Sequence, residues 1–168
     1  PKSPVPLTLR GQVLLAQGNV KGAEAAFTDA VALGGNIQAA QRGLGQALAA
    51  QGQVDRAIEQ YRKALAKNDN DVITLNNLAW LLVDSKKQPD QALPLATKAA
   101  QLAPRSPEVA DTLGWVQYHR GAYAEAEKAL SFAEQQAPSN GQVKYHLGLT
   151  YAKLGKKEKA LAKERDKA

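Results

Sequence analysis

Trp80 and Trp115 are the only tryptophans of this chain, and Tyr118 and Tyr145 follow them toward its C-terminus. Side chains of this kind bind rather than react. Trp, Tyr and Arg dominate the energetics of interfaces because each combines a large rigid area with a polar handle. Arg42, Gln46, Asn76, Asn77 and Asp111 could supply charge and backbone-directed hydrogen bonds beside them. Catalytic chemistry has little to draw on. Cysteine is absent, which removes disulfide frameworks, thiolate zinc sites and cysteine nucleophiles together. The sequence contains no Gly-rich phosphate loop, HExxH helix, GxSxG elbow or paired His/Asp constellation. The expectation is a non-catalytic protein with no cofactor and no metal.

The elements that must position these residues follow from composition and spacing. Alanine is abundant while Val, Ile and Thr are few, which points to an all-helical chain. Small residues recur as Gly11, Gly45, Ala79, Gly114 and Gly148, spaced 34, 34, 35 and 34. Ala23, Ala57, Ala92, Ala126 and Ala160 form a second series in the same phase, and Ala30, Ala64, Ala99 and Ala133 a third. The single 35 places one extra residue in the polar stretch Asp84-Ser85-Lys86-Lys87-Gln88-Pro89-Asp90, a turn by composition. Each repeat reads as two short helices. In the second, Leu44, Leu48, Ala57, Ile58, Tyr61 and Leu65 make apolar stripes interrupted by Gln51-Gly52-Gln53. Gly18, Gly52, Gly121 and Gly155 share one phase and end the first helices; Pro104 and Pro138 stand where second helices stop. Gly or Ala at mid-helix lets paired backbones pack closely.

This pattern resembles the tetratricopeptide repeat. Leu113-Gly114, Ala126, Leu130, Ala133 and Pro138 carry the likeness in the fourth repeat, and Leu44-Gly45, Leu48, Ala57, Tyr61 and Ala64 in the second. The repeats run 4–37, 38–71, 72–106 and 107–140, with a partial fifth over 141–168 that ends in a basic capping helix. The usual first aromatic is missing, replaced by Leu7, Gln41, Leu75, Ala110 and Lys144. Ala96 replaces the second-helix aromatic of the third repeat and Pro94 follows that helix's start, so this repeat is expected to be the loosest packed. The resemblance implies a right-handed superhelical solenoid of antiparallel helix pairs whose first helices line a concave groove. It also implies a protein-binding scaffold.

The family's groove positions align residues into rows. One holds Thr8, Arg42, Asn76, Asp111 and Tyr145; another holds Gln12, Gln46, Trp80, Trp115 and Leu149. Tyr118 and His119 lie on the two rows beyond. The expected partner-binding set is thus Arg42, Gln46, Asn76, Asn77, Trp80, Asp111, Trp115, Tyr118 and Tyr145, with the tryptophans as apolar anchors for a protein or peptide ligand. The same rings could instead pack as ordinary core between neighbouring helices. A carboxylate clamp of the kind some relatives use needs basic residues where Glu108 and Thr112 sit, and is not expected. His119 and His146 fall seven positions out of step on adjacent first helices, roughly 10 Å along the axis. That is too far to share an ion with bonds of about 2 Å. His119 is matched instead with Asp84 in its own row.

Of the net charge of +6, +4 falls within residues 151–168, so the body is nearly neutral. A basic stripe for nucleic acid is lacking, and base-reading helical repeats do not share this Gly/Ala/Pro phase. The basic tail is expected to be a solvated capping helix. No apolar run approaches the roughly 20 residues that span a bilayer, so direct membrane insertion is not expected. The chain starts at Pro1 and has no Met, which points to an excised fragment or a processed product that could have lost a targeting signal. Asn76-Asn77-Leu78-Ala79-Trp80, Asp111-Thr112-Leu113-Gly114-Trp115 and Tyr145-His146-Leu147-Gly148 resemble the C-terminal end of large bacterial tetratricopeptide proteins. Those proteins are linked to exopolysaccharide export and exosortase sorting, and are often periplasmic lipoproteins. The likeness, over about residues 72 to 160, implies a periplasmic scaffold; a cytoplasmic scaffold or co-chaperone is the alternative. Weak self-association through the incomplete last repeat is a further expectation.

Overall fold

The computed structural model describes residues 3–34 and 37–165, with side chains given as far as Lys163. Asp166 and Lys167 of the basic tail lie outside the described residues, as do the side chains of Glu164 and Arg165. The described residues form helices and turns without a strand. They are α1 (Val5–Ala16), α2 (Val20–Ala32), α3 (Gln38–Ala50), α4 (Val54–Leu65), α5 (Val72–Trp80), α6 (Pro89–Leu102), α7 (Pro107–His119), α8 (Tyr123–Gln136), α9 (Gly141–Lys153) and α10 (Lys157–Arg165). The fold is all-α, with the helices packed in consecutive pairs. The chain divides into two compact units, residues 1–78 and 79–168.

Within the first unit the helices pair because a small residue on one faces a ring on the other. A Cβ at Gly45 would stand 2.6 Å from the Tyr61 ring, and one at Gly11 would stand 2.6 Å from Phe27. Phe27 also lies against Gly43 of the next repeat, so one ring is wedged between α1 and α3. Phe27 and Tyr61 are buried with Leu48, Ile58 and the alanines of the repeat phase. Helix α4 shows the local design. Ala57, Ile58, Tyr61 and Ala64 make its buried stripe, Asp55 sits in its first turn, and Arg62 and Lys63 sit in its last.

The second unit uses the same device with Leu130 against Gly114, whose Cβ would meet the Leu130 Cγ at 2.5 Å. Leu130 and Leu147 are wholly buried, and Tyr151 packs with them. Salt bridges from Lys156, in the turn before α10, to Glu127 at 2.6 Å and from Lys163 of α10 to Glu134 tie this last helix to α8. The fifth repeat therefore has both helices.

The turns between paired helices show where the extra residue goes. Gly52 has φ of 73°, its N–H donates to the Ala49 carbonyl at 2.9 Å, and the Gln53 N–H donates to Leu48 at 2.9 Å. That double closure is the Schellman motif. In the third repeat the equivalent turn residue is Lys87, with φ of 54°. There Gln88 donates to Leu82, one residue further back, and Lys86 donates to Leu81 across a π-helical turn over Leu81–Ser85. The insertion is thus absorbed at the end of the helix and begins ahead of the polar stretch expected to hold it. The third repeat's alanines Ala79, Ala92, Ala96 and Ala99 are all fully buried. Its irregularity lies in the backbone, in the π turn and in Pro94 inside α6.

Candidate functional site

The expected binding residues divide between the two units. Arg42, Gln46, Asn76 and Asn77 belong to the first; Trp80, Asp111, Trp115, Tyr118 and Tyr145 belong to the second.

In the second unit the site starts from how α7 and α9 begin. The Ser106 hydroxyl accepts from the Val109 N–H and donates to Glu108, holding the Glu108 carboxyl below its ordinary range. Asn140 caps α9, accepting from Gln142 at 3.0 Å and Val143 at 3.3 Å. With both helices fixed, Asp111, Trp115 and Tyr118 project from α7 at intervals of four and three residues, one helical face. His146 comes from α9 to meet them. Its Nδ1–H donates to Asp111 Oδ1 at 2.8 Å, and Gln142 donates to Asp111 Oδ2 at 3.4 Å.

Asp111 and His146 are both buried. The Asp111 carboxylate is therefore committed to its own fold, and it orients the imidazole, where the sequence reading placed it as a partner contact. The oriented ring carries an aromatic stack. Trp115 lies parallel to His146 with centroids 4.0 Å apart, and parallel to Tyr118 at 5.0 Å. His119 meets Trp115 edge-on at 4.5 Å. Trp80 and Tyr145 flank His146 at 5.8 and 5.9 Å. Trp115 is only 7% exposed, whereas Trp80 and Tyr118 are half-buried and Tyr145 is 44% exposed. The accessible aromatic surface is thus a rim of Trp80, Tyr118 and Tyr145 around a buried indole.

Both histidines pack on Trp115, which the sequence reading did not anticipate. His119 makes no hydrogen bond to Asp84 in the structure; burial and the Lys87 ammonium lower its proton affinity, against the opposing pull of Asp84. Its Nε2 and the Trp115 Nε1 are buried without a hydrogen-bond partner. Among the described residues no group of three His, Asp or Glu side chains is arranged to hold a metal ion.

In the first unit Asp71 organises the polar residues. One of its oxygens caps the start of α5, accepting from the Thr74 N–H at 3.2 Å. The other accepts from Gln38 and from Arg42, the latter at 2.7 Å. Arg42 is therefore paired, with 23% of its side chain exposed. Sequence reasoning missed Asp71, although an acid directly before a helix was a legible capping signal. Asn77 donates a long hydrogen bond of 3.5 Å to the Tyr61 hydroxyl, whose ionisation burial pushes up to about 12. Gln46 is half-buried, and Asn76 Oδ1 is a buried acceptor without a partner. Among the described residues no helix is long and apolar enough to cross a membrane.

Comparison with known proteins places this architecture. The family model described as tetratricopeptide repeat matches residues 8–72, 76–140 and 112–166. A TPR repeat-containing protein of Pseudomonas aeruginosa, PA4667, is 34% identical over 87 residues, 52% of this chain but 15% of that protein's length. Among solved structures, MamA from Desulfovibrio magneticus RS-1 superposes with a TM-score of 0.79 at 20% identity, covering 97% of this chain and 90% of that one. YrrB, described as a TPR protein with an unusual peptide-binding site, superposes with a TM-score of 0.78 at 24% identity, covering 98% of this chain and 84% of that one. At these identities the two structures show the fold.

Proposed function

Because the chain belongs to the tetratricopeptide-repeat family, we propose that it is a non-catalytic scaffold that binds a peptide segment of a protein partner. The binding surface in this reading is the aromatic rim of the second unit. The observation that carries it is the stack of Tyr118, Trp115 and His146, held by Asp111 and flanked by the partly exposed Trp80 and Tyr145. Rings already immobilised by stacking lose little side-chain entropy on binding, so their contact area converts to affinity efficiently. Trp80, Tyr118 and Tyr145 are the direct contacts. Trp115, His146 and Asp111 hold them in place. The first unit offers a separate polar set, Gln46, Asn76 and the exposed part of Arg42, suited to a peptide backbone. YrrB's description as a peptide-binding TPR protein supports this choice of ligand class.

Selection of a displayed random-peptide library against the chain tests the reading. Selected peptides should lose at least about tenfold in affinity on Trp80→Ala or Tyr145→Ala, the loss expected for one interface anchor. They should keep full affinity on Lys128→Ala, a substitution on α8. Peptides that ignore both aromatic substitutions would sink it. The likeness of residues 72–160 to bacterial export proteins supports a periplasmic exopolysaccharide or sorting assembly as the setting. Fractionation of the source cell, followed with an antibody to this region, distinguishes that setting from a cytoplasmic one.

A further inference from the structure

Two histidines are held against one indole, and they are held differently. His146 lies parallel to Trp115 at 4.0 Å, with its Nδ1 bonded to Asp111 at 2.8 Å. His119, one turn beyond Trp115 on α7, meets the same indole edge-on at 4.5 Å and the Tyr118 ring at 5.5 Å. Its Nε2 is buried with no hydrogen-bond partner. A carboxylate anchors His146, whereas ring packing keeps His119 in place.

That difference decides what each ring can do with a proton. An imidazolium carries two N–H donors, and a buried charged donor without an acceptor is heavily penalised. The stacked position of His119 therefore suits the neutral ring. The groups that face it agree. Burial first and the Lys87 ammonium second lower its proton affinity; Asp84 of the π-helical turn opposes them, and His146 of α9 adds a further push down. Arg120, next along α7, is turned to Asp90 at 2.9 Å, and Tyr123 of α8 reaches Tyr118 at 5.5 Å. Asp84 is thus the carboxylate to which a charged ring would turn. Its departure would uncover an edge of Trp115 and free one side of Tyr118, the two rings on which the rim is stacked.

Given the reading of the rim as the peptide site, on which this rests, we infer that His119 is a proton-operated brace. The neutral ring holds Trp115 and Tyr118 in their binding arrangement; the protonated ring turns to Asp84 and releases them, so peptide is shed as pH falls. His119 is a positioning residue, acting through Trp115 and Tyr118. Bound proton and bound peptide then oppose each other. Affinity should fall by up to about tenfold per pH unit, the limit for one linked proton. The fall begins below the ordinary histidine value of about 6.5, because the stacked ring gives up its proton more readily.

Trp80→Phe leaves Trp115 as the sole indole, so its acrylamide quenching tests the brace without a peptide. From about pH 8 to about pH 5, where histidine changes charge, quenching should rise in one step while helical circular dichroism stays constant. Adding His119→Phe keeps a packed ring that takes no proton, and it costs no hydrogen bond at Nε2. That variant should remove the step and keep Trp115 covered. His119→Ala should be quenched readily at every pH, and Asp84→Asn should move the step to lower pH. A library-selected peptide free of histidine and acidic residues, whose binding Trp80→Ala abolishes, reads the consequence. Its affinity should fall with acid for the wild type, hold for His119→Phe and be weak throughout for His119→Ala. Quenching that is flat with pH, decreases with acid or keeps its step in His119→Phe overturns the brace. So does an affinity with the same pH dependence in wild type and His119→Phe. Peptides that ignore Trp80→Ala would instead sink the rim reading, and the quenching step would then decide the brace by itself.

Discussion

Substituting Gly45 by Ala measures directly how the repeats are held together. On an exposed helix the change would gain about 1 kcal/mol of helix propensity. Here the new methyl would stand 2.6 and 2.7 Å from two carbons of the Tyr61 ring, well inside the roughly 3.5–4.0 Å of optimal carbon contact. Tyr61 is 2% exposed, so the ring has nowhere to swing without moving α4. Overpacking of this kind costs about 1–3 kcal/mol, which leaves Gly45→Ala destabilised by about 1 kcal/mol net. For a chain of this size that lowers Tm by about 2–4 °C. The decisive comparison repeats the substitution in a Tyr61→Ala background. Without the ring, the methyl enters vacated space and only the propensity gain is left, so Gly45→Ala should become stabilising by about 1 kcal/mol. The third repeat already uses this combination, with Ala79 and Ala96 at the two equivalent positions. The coupling is then about 2 kcal/mol, large for residues in direct contact. Urea unfolding followed by circular dichroism reads all four corners of the cycle. If Gly45→Ala costs the same with and without the ring, the close-approach argument fails and the 34-residue phase of small residues needs another cause.

Four further outcomes follow from particular side chains. Lys87→Gly removes a left-handed lysine and should stabilise the chain by about 1 kcal/mol, read from the urea midpoint. His119 is held below its ordinary value chiefly by burial, then by Lys87, so the unfolded chain takes up that proton first. Its contribution to stability is full above pH about 6.5 and is lost as pH falls through the lower folded value; His119→Gln should flatten that acid slope. Tyr61 is pushed up to about 12 by burial, so stability should be full below pH about 10 and fall between there and 12. Tyr61→Phe should remove that alkaline loss, checked by phenolate absorbance alongside circular dichroism. In acrylamide quenching, Trp115→Phe, which keeps Trp80, should be quenched more readily than Trp80→Phe, which keeps the buried indole. Equal quenching would contradict the arrangement of rim and buried ring.

The fold was legible because its determinants are local and repeated. Gly45 facing Tyr61, Gly114 facing Leu130 and the left-handed glycines at 18, 52, 121 and 155 each recur at the repeat spacing. The candidate site was legible only in part. Row positions put Trp80, Trp115, Tyr118 and Tyr145 on first helices, where the structure has them. They could not say which side of the helix each would favour. Neighbouring positions differ by about 100°, enough to carry Asp111 from an open surface into the contact with His146. Arg42 was likewise readable as a groove cation but not as the partner of Asp71, because that pair depends on how adjacent repeats meet. The insertion was countable from the spacing, yet only backbone hydrogen bonds reveal that a π-helical turn absorbs it.

The central claim is that a peptide binds the aromatic rim of the second unit. Backbone amide chemical-shift mapping with ¹⁵N-labelled chain and a library-selected peptide tests it most directly. The account predicts that the largest saturable shifts cluster around Trp80, Tyr118 and Tyr145, with α8 left almost unmoved. Shifts confined to the second helices α6, α8 or α10, with the aromatic rim silent, would contradict it.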